Sequence, residues 1–107
     1  MARLVNVRNL NAVVVIGAGL AENTHGHFEL TITMIASSVT SGATIDLEGS
    51  PDGTNWVQLT TRDITANGNT ADVTTGAHRF FRANVTARTD GTYTVWIAAT
   101  GHSGVGE

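Results

Sequence analysis

The chain has 107 residues, of which 41% are hydrophobic and 14% charged, and its nine acidic and six basic residues give a formal net charge of -3. That length carries one core and leaves no room for a second domain, and a net-acidic surface disfavours nonspecific nucleic-acid binding, whose affinity comes from basic residues on phosphate. The absence of Cys removes disulfides, thiolate metal sites and Cys nucleophiles, and no stretch approaches the ~20 apolar residues that span a membrane.

In chain order, residues 1–11, with Leu4 to Leu10 at their centre, read as an extended N-terminal arm or an edge strand. Ala12 to Ile16 reads as a short, almost wholly apolar strand that is buried. Arg3 and Arg8 ahead of Ala12 to Ala21 imitate a signal peptide, but the Val-rich run fits the buried strand better. Gly17 to Gly26 is a connecting loop. From His27 to Ile35, Phe28, Leu30, Ile32 and Met34 share one face and Glu29, Thr31, Thr33 and Ile35 the other, which is the alternation of a half-buried strand.

The clearest local signal follows. Ala43 to Glu48 and Asn55 to Thr61 flank the run Gly49-Ser50-Pro51-Asp52-Gly53-Thr54, a hairpin with its turn residues in place. Ile45 and Leu47 face the core, and Asp46 and Glu48 face away from it. Asp63 to Gly76 supplies a loop with a weak strand around Asp72 to Thr74. The strands Arg79 to Arg88 and Thr92 to Ala99 then pair about Thr89-Asp90-Gly91, a turn that suits a hairpin. Phe81, Ala83, Val85 and Ala87 are expected inside with Tyr93, Val95, Ile97 and Ala99. Phe80 and Trp96 lie on the opposite faces, where exposed aromatics mark a contact surface. The tail 101–107 is Gly-rich.

No window of ten or more residues sustains a helical period, so the expected fold is all-β: a single antiparallel β-sandwich, jelly-roll or Ig-like, of about seven or eight strands.

Chemistry finds little purchase in these residues. His25-Gly26-His27 places two imidazoles on one side of an extended segment, but two ligands do not make a metal site. Gly17-Ala18-Gly19-Leu20-Ala21 lacks the third Gly and the helix of a dinucleotide fingerprint, and no nucleophile elbow is present. No catalytic residue, metal or cofactor is expected, and the chain reads as a binding or structural protein, not an enzyme.

Three segments carry a resemblance: Gly49-Ser50-Pro51-Asp52-Gly53-Thr54-Asn55-Trp56-Val57-Gln58-Leu59, His78-Arg79-Phe80-Phe81-Arg82-Ala83-Asn84-Val85-Thr86 and Asp90-Gly91-Thr92-Tyr93-Thr94-Val95-Trp96-Ile97. Over roughly Ala43 to Gly101 the chain resembles small β-sandwich structural proteins of tailed bacteriophages. The resemblance implies a virion location, with the major capsid protein as partner, and a role in decorating or cementing the shell. The local symmetry of capsid sites makes a homo-oligomer, a trimer among the options, the expected assembly, and the net-acidic composition and the lack of a spanning stretch leave nucleic acid and membrane out of the expected partners. The partner-binding residues expected on this reading are Leu4, Val5, Val7 and Leu10 of the arm with Phe80, Arg82 and Trp96. The alternatives are a tail or fibre accessory domain and a carbohydrate-binding module using Phe80, Trp96 or Trp56. Removal of Met1 to Leu10 is expected to separate the cement role from the sugar-binding one.

Overall fold

The computed structural model describes residues 3–23, 29–75 and 78–101, all of them strand, turn or extended segment. Two antiparallel sheets face each other. One, sheet A, runs β1 (Arg3–Val13), β9 (Thr92–Gly101), β4 (Glu29–Ser37), β7 (Gly68–Thr75). The other, sheet B, runs β2 (Gly17–Ala18), β8 (Phe80–Arg88), β5 (Ala43–Ser50), β6 (Val57–Ile64), with β3 (Glu22–Asn23) also on β8. The expected all-β sandwich is the observed one.

The core is the sum of the inward rows. Leu30, Ile32 and Met34 of β4 meet Val95, Ile97 and Ala99 of β9, and across the gap Ile45 and Leu47 of β5 meet Ala83 and Val85 of β8. Tyr93 and Phe81 are the largest side chains fully enclosed. Burying each such apolar side chain is worth about 1.5–3 kcal/mol, which lets a chain without disulfides hold two sheets together.

Five expectations need correction, one of them the loop from Gly17 to Gly26, in which Gly17–Ala18 and Glu22–Asn23 pair with β8 as short strands. Ala12 to Ile16 is not a buried strand: β1 ends at Val13, and Val14, Val15 and Ile16 are 50%, 64% and 60% exposed in the crossover between the sheets. The pleat is interrupted there, because β1 loses register with β9 twice between Arg8 and Val13 and Ala12 takes a positive φ of 49°. Ala87 is exposed, because a register shift between Thr44 and Ile45 inserts Thr86 into β8 and reverses which way the next side chain points. The weak strand at Asp72 to Thr74 is a full edge strand, β7. Thr89-Asp90-Gly91 does not close a hairpin: β8 and β9 belong to different sheets, so the turn is a corner.

The segment taken as an arm or edge strand is the latter. β1 pairs with β9 from Arg3↔Gly101 to Val13↔Tyr93 and forms one margin of sheet A. His25, His27, Phe28 and most of the Gly-rich tail lie outside the described residues.

The loops at one end are fastened by Asp90. Its Oδ1 accepts the backbone N–H groups of Thr40 and Ser41 at 3.0 Å and of Gly42 at 2.9 Å, while the Tyr93 hydroxyl donates to the Asp90 carbonyl at 2.7 Å. These N–H donors, Thr40 first, hold the carboxyl below the usual carboxylate range. At the other end Ser50 and Asp52 fold the β5–β6 turn. Asp52 Oδ1 accepts the Thr54 and Asn55 N–H groups at 2.8 Å, and the fully buried Ser50 Oγ accepts that of Gly53 at 2.8 Å. Gly53 has φ 79°, a conformation that glycine adopts without strain.

Candidate functional site

The sequence-predicted contact residues do not form one surface. Phe80 and Arg82 stand on the outer face of sheet B and Trp96 on the outer face of sheet A, at opposite sides of the molecule. Leu10 is 6% exposed and belongs to the core, and Val7 packs against that core. Leu4 and Val5 lie in β1 opposite Thr100 and Ala99.

Sheet A presents a broad face with little charge. Register sets Asn6, Ala98, Thr31 and Val73 in one row across its four strands, and Arg8, Trp96, Thr33 and Ala71 in the next. Arg8 is the only charged residue in either row. Its guanidinium lies 5.7 Å from the Trp96 ring centroid, a separation at which the cation and the π face attract. Val73 is 76% exposed and Ile35 also opens to solvent. Short β-branched and small side chains alternate with one large aromatic, so the face is smooth, and the backbone of its two central strands, β9 and β4, is paired on both sides.

Sheet B presents the opposite character. The carboxylate of Glu48 on β5 accepts Arg82 Nε at 2.7 Å and Asn84 Nδ2 at 3.1 Å, both from β8. Arg82 in turn lies 4.1 Å from the centroid of Trp56, at the foot of the β5–β6 turn. Phe80 closes this end: a Cβ on Gly53 would touch its ring, and Arg79 lies 5.4 Å from its centroid. Asp46, one pleat along from Glu48, is enclosed, and its Oδ1 has no hydrogen-bond partner among the described residues. Further along β5 the Thr44 hydroxyl donates to Asp63 at 2.8 Å, beside an open cleft of about 280 Å³ that Ser41, Thr65, Ala87 and Arg88 help to line. The outer face of sheet B is therefore a polar strip with aromatic residues at one end and a hydroxyl-lined cleft at the other.

Sequence reasoning placed Asp46 and Glu48 on the polar side and Phe80 and Arg82 facing out. It missed that Trp56 and Asn84 join them, since that depends on β8 sitting beside β5. It missed the exposed apolar crossover as well, where Leu20 is 81% exposed along with Val14, Val15 and Ile16. The ten-residue absence of any polar side chain from Ala12 to Ala21 was the available signal. Among the described residues no group of three His, Asp or Glu side chains gathers to hold a metal ion.

No protein-family model matches the chain, and no curated protein matches it by sequence. Solved structures match the fold. The SPBc2 prophage-derived protein YomS superposes with a TM-score of 0.74 at 12% identity, over 94% of this chain and 96% of that one. The PBSX exported protein XepA superposes with a TM-score of 0.58 at 16% identity over 100% of this chain, which spans 38% of XepA. A chitosan-binding module of a chitosanase/glucanase from Paenibacillus sp. IK-5 gives 0.55 at 15% identity, over 74% of this chain and 65% of the module. The chain thus has the sandwich fold of prophage-derived proteins and of carbohydrate-binding modules.

Proposed function

We propose that the chain is a non-enzymatic structural protein of a phage particle, a decoration or cement protein seated on the outer capsid surface through the outer face of sheet A. The observation that carries this reading is the match of fold to a prophage-derived protein over 94% of this chain and 96% of that one. The face itself suits the task. A shell protein offers a rigid surface, and a sheet face carrying Thr, Ala, one Trp and one Arg, with Glu29 at one end of it, docks on it with little ordering cost.

The partner on this reading is the major capsid protein, and the site of action is the virion. Repeated copies on a symmetric shell turn weak single contacts into stable coating, and a trimer at a local three-fold is one arrangement that achieves this. The apolar crossover at Val14 to Ile16, beside the edge of sheet A, supplies the contact between neighbouring copies or with the shell.

Deleting Met1 to Leu10 no longer tests this reading, because it would remove the edge strand and Leu10 from the core. Surface variants do. Co-sedimentation of purified protein with virions or empty capsids of its source, followed by imaging, should show saturable binding in a regular array. Thr33→Arg and Trp96→Ala should abolish or strongly weaken it while leaving the melting temperature near that of the parent. Failure of the parent to bind, or full occupancy by both variants, would overturn the reading.

A further inference from the structure

We propose that β7, one margin of sheet A, pairs antiparallel with β7 of a second copy of this chain, so that two four-stranded sheets become one continuous sheet. The pairing needs only the isolated chain and is independent of any capsid.

A strand at the margin of a sheet leaves one side of its backbone unpaired, and natural sheets protect such margins with bulges, charges or very short strands. β1 is protected in this way, since it slips twice against β9 and carries Arg3 and Arg8. β6 skips Leu59 in its register with β5 and carries Arg62 and Asp63. β2 and β3 are two residues each. β7 has none of these devices on its exposed row. Its eight residues pair with β4 without a slip, from Glu29↔Thr75 to Ala36↔Gly68, and include no Pro, Lys or Arg. Asn69, Ala71, Val73 and Thr75 form the exposed row, all of them uncharged, and Val73 is 76% exposed. The one charge, Asp72, belongs to the other row and is paired by Arg62. Among the described residues no further strand pairs with the outer side of β7.

The pattern of the strand selects a second copy as the occupant. Directly opposed residues of an antiparallel pair lie on the same face, so full-length self-pairing has two registers, one centred on Asp72 and one on Ala71. The first sets two carboxylates against each other. The second sets Ala71 opposite Ala71, Val73 opposite Asn69, Asp72 opposite Thr70 and Thr74 opposite Gly68 of the second copy, with small side chains at the axis and no like charges opposed. The two-fold axis then stands normal to the sheet, and both copies turn the outer face of sheet A to the same side. One strand on one strand is a small contact, below the about 1,200 Å² at which specific stable interfaces begin, so the pairing is reversible. β1 lies on the opposite margin of sheet A and takes no part.

The test is sedimentation velocity of the intact chain over a series of concentrations rising to the millimolar range, which should show a monomer–dimer equilibrium. Ala71→Lys, which sets like charges against each other at the axis, should raise the dimer Kd about tenfold or more, whereas Gln58→Lys, on the margin of sheet B, should leave it unchanged. The chain has no Cys, so Ala71→Cys supplies one thiol per copy. The two Cα atoms would stand about 4.5–5.5 Å apart across the axis, within the span of a disulfide. In a glutathione redox buffer this variant should link into a covalent dimer. Asn69→Cys should not, because its two copies would be separated by four residues, roughly 13 Å at about 3.3 Å per residue. The proposal is overturned if the parent stays monomeric at millimolar concentration, if Gln58→Lys dissociates the dimer as much as Ala71→Lys, or if Asn69→Cys links as readily as Ala71→Cys. A monomeric parent that loses capsid binding on Ala71→Lys would give this margin to a strand of the shell, and would overturn self-pairing as well.

Discussion

Asn9 of β1 reaches across one flank of the sandwich and accepts the Ala83 backbone N–H of β8 on its Oδ1 at 2.7 Å, joining sheet A to sheet B through a single side chain. Its Nδ2 donates to the Leu20 carbonyl at 2.8 Å and to Glu22 Oε2 at 3.1 Å, so the same amide holds the crossover that follows β1. Asn9 occupies the irregular position between Arg8 and Leu10, where β1 slips one residue against β9. The bulge is what turns this side chain toward the other sheet.

Asn9→Ala should therefore destabilise the fold by about 1–3 kcal/mol, because the enclosed Ala83 N–H loses its acceptor. Gly19→Ala should act in the same direction, since a Cβ there would collide with the Asn9 side chain. Urea denaturation checks both: a lowered midpoint at unchanged slope is the expected result, and an unchanged midpoint would remove the bridge from the account.

Asp90 sets an acid limb to stability. Its folded-state pKa is depressed, chiefly by the Thr40, Ser41 and Gly42 N–H groups. Its contribution is accordingly complete above the ordinary Asp value of about 3.9 and is lost as pH falls through the lower folded value. Asp72, held down by its hydrogen bond from Arg62, and Asp52, held down by the Asn55 and Thr54 N–H groups, act with the same sign. Melting temperatures measured from pH 7 to pH 2 should fall steeply below about pH 4. Asp90→Ala should lower the curve at neutral pH and flatten its acid limb. A parallel downward displacement at every pH would show that the loops are fastened by something other than the ionised carboxylate.

The opposite flank is closed by Arg62 of β6, whose Nε donates to Asp72 Oδ2 of β7 at 2.8 Å, with a second contact through Nη2. The Arg62 side chain is 38% and the Asp72 side chain 20% exposed, so solvent screens the pair. A double-mutant cycle on Arg62→Ala and Asp72→Ala should return a coupling of no more than about 1 kcal/mol, smaller still at high salt. A much larger, salt-insensitive coupling would mean that the two sheet edges are clamped here instead of merely bordered.

The bulge in β8 makes a prediction that alternation alone reverses. Ala87→Arg should change stability by no more than about 0.5 kcal/mol, because Ala87 faces water, whereas Ala83→Arg, four residues earlier and fully enclosed, should abolish folding. Circular dichroism melts of the two variants decide it. Equal damage from both would place Ala87 back in the core.

The all-β class, the β5–β6 hairpin, and the inward rows Leu30-Ile32-Met34, Phe81-Ala83-Val85 and Tyr93-Val95-Ile97-Ala99 were legible because they rest on local rules: strand period two, and turn residues that act within four positions of each other. Where the period broke, reading failed. The slips near Asn9 and at Thr86 each depend on pairing with a partner strand, and they decided that Val14 to Ile16 and Ala87 are exposed. The same limit hid the sheet assignment. Asp90 and Gly91 announce a turn, yet whether it joins neighbours in one sheet or turns a corner between two depends on which strands each side finds, and β8 finds β5 while β9 finds β1 and β4. That choice puts Trp96 and Phe80 on opposite faces, stacks Arg82 on Trp56 and leaves Asp46 Oδ1 without a donor among the described residues. Local chemistry specifies strands and turns; only long-range pairing decides which side chains meet, because contacts between residues far apart in the chain carry no signature in the neighbourhood of either one.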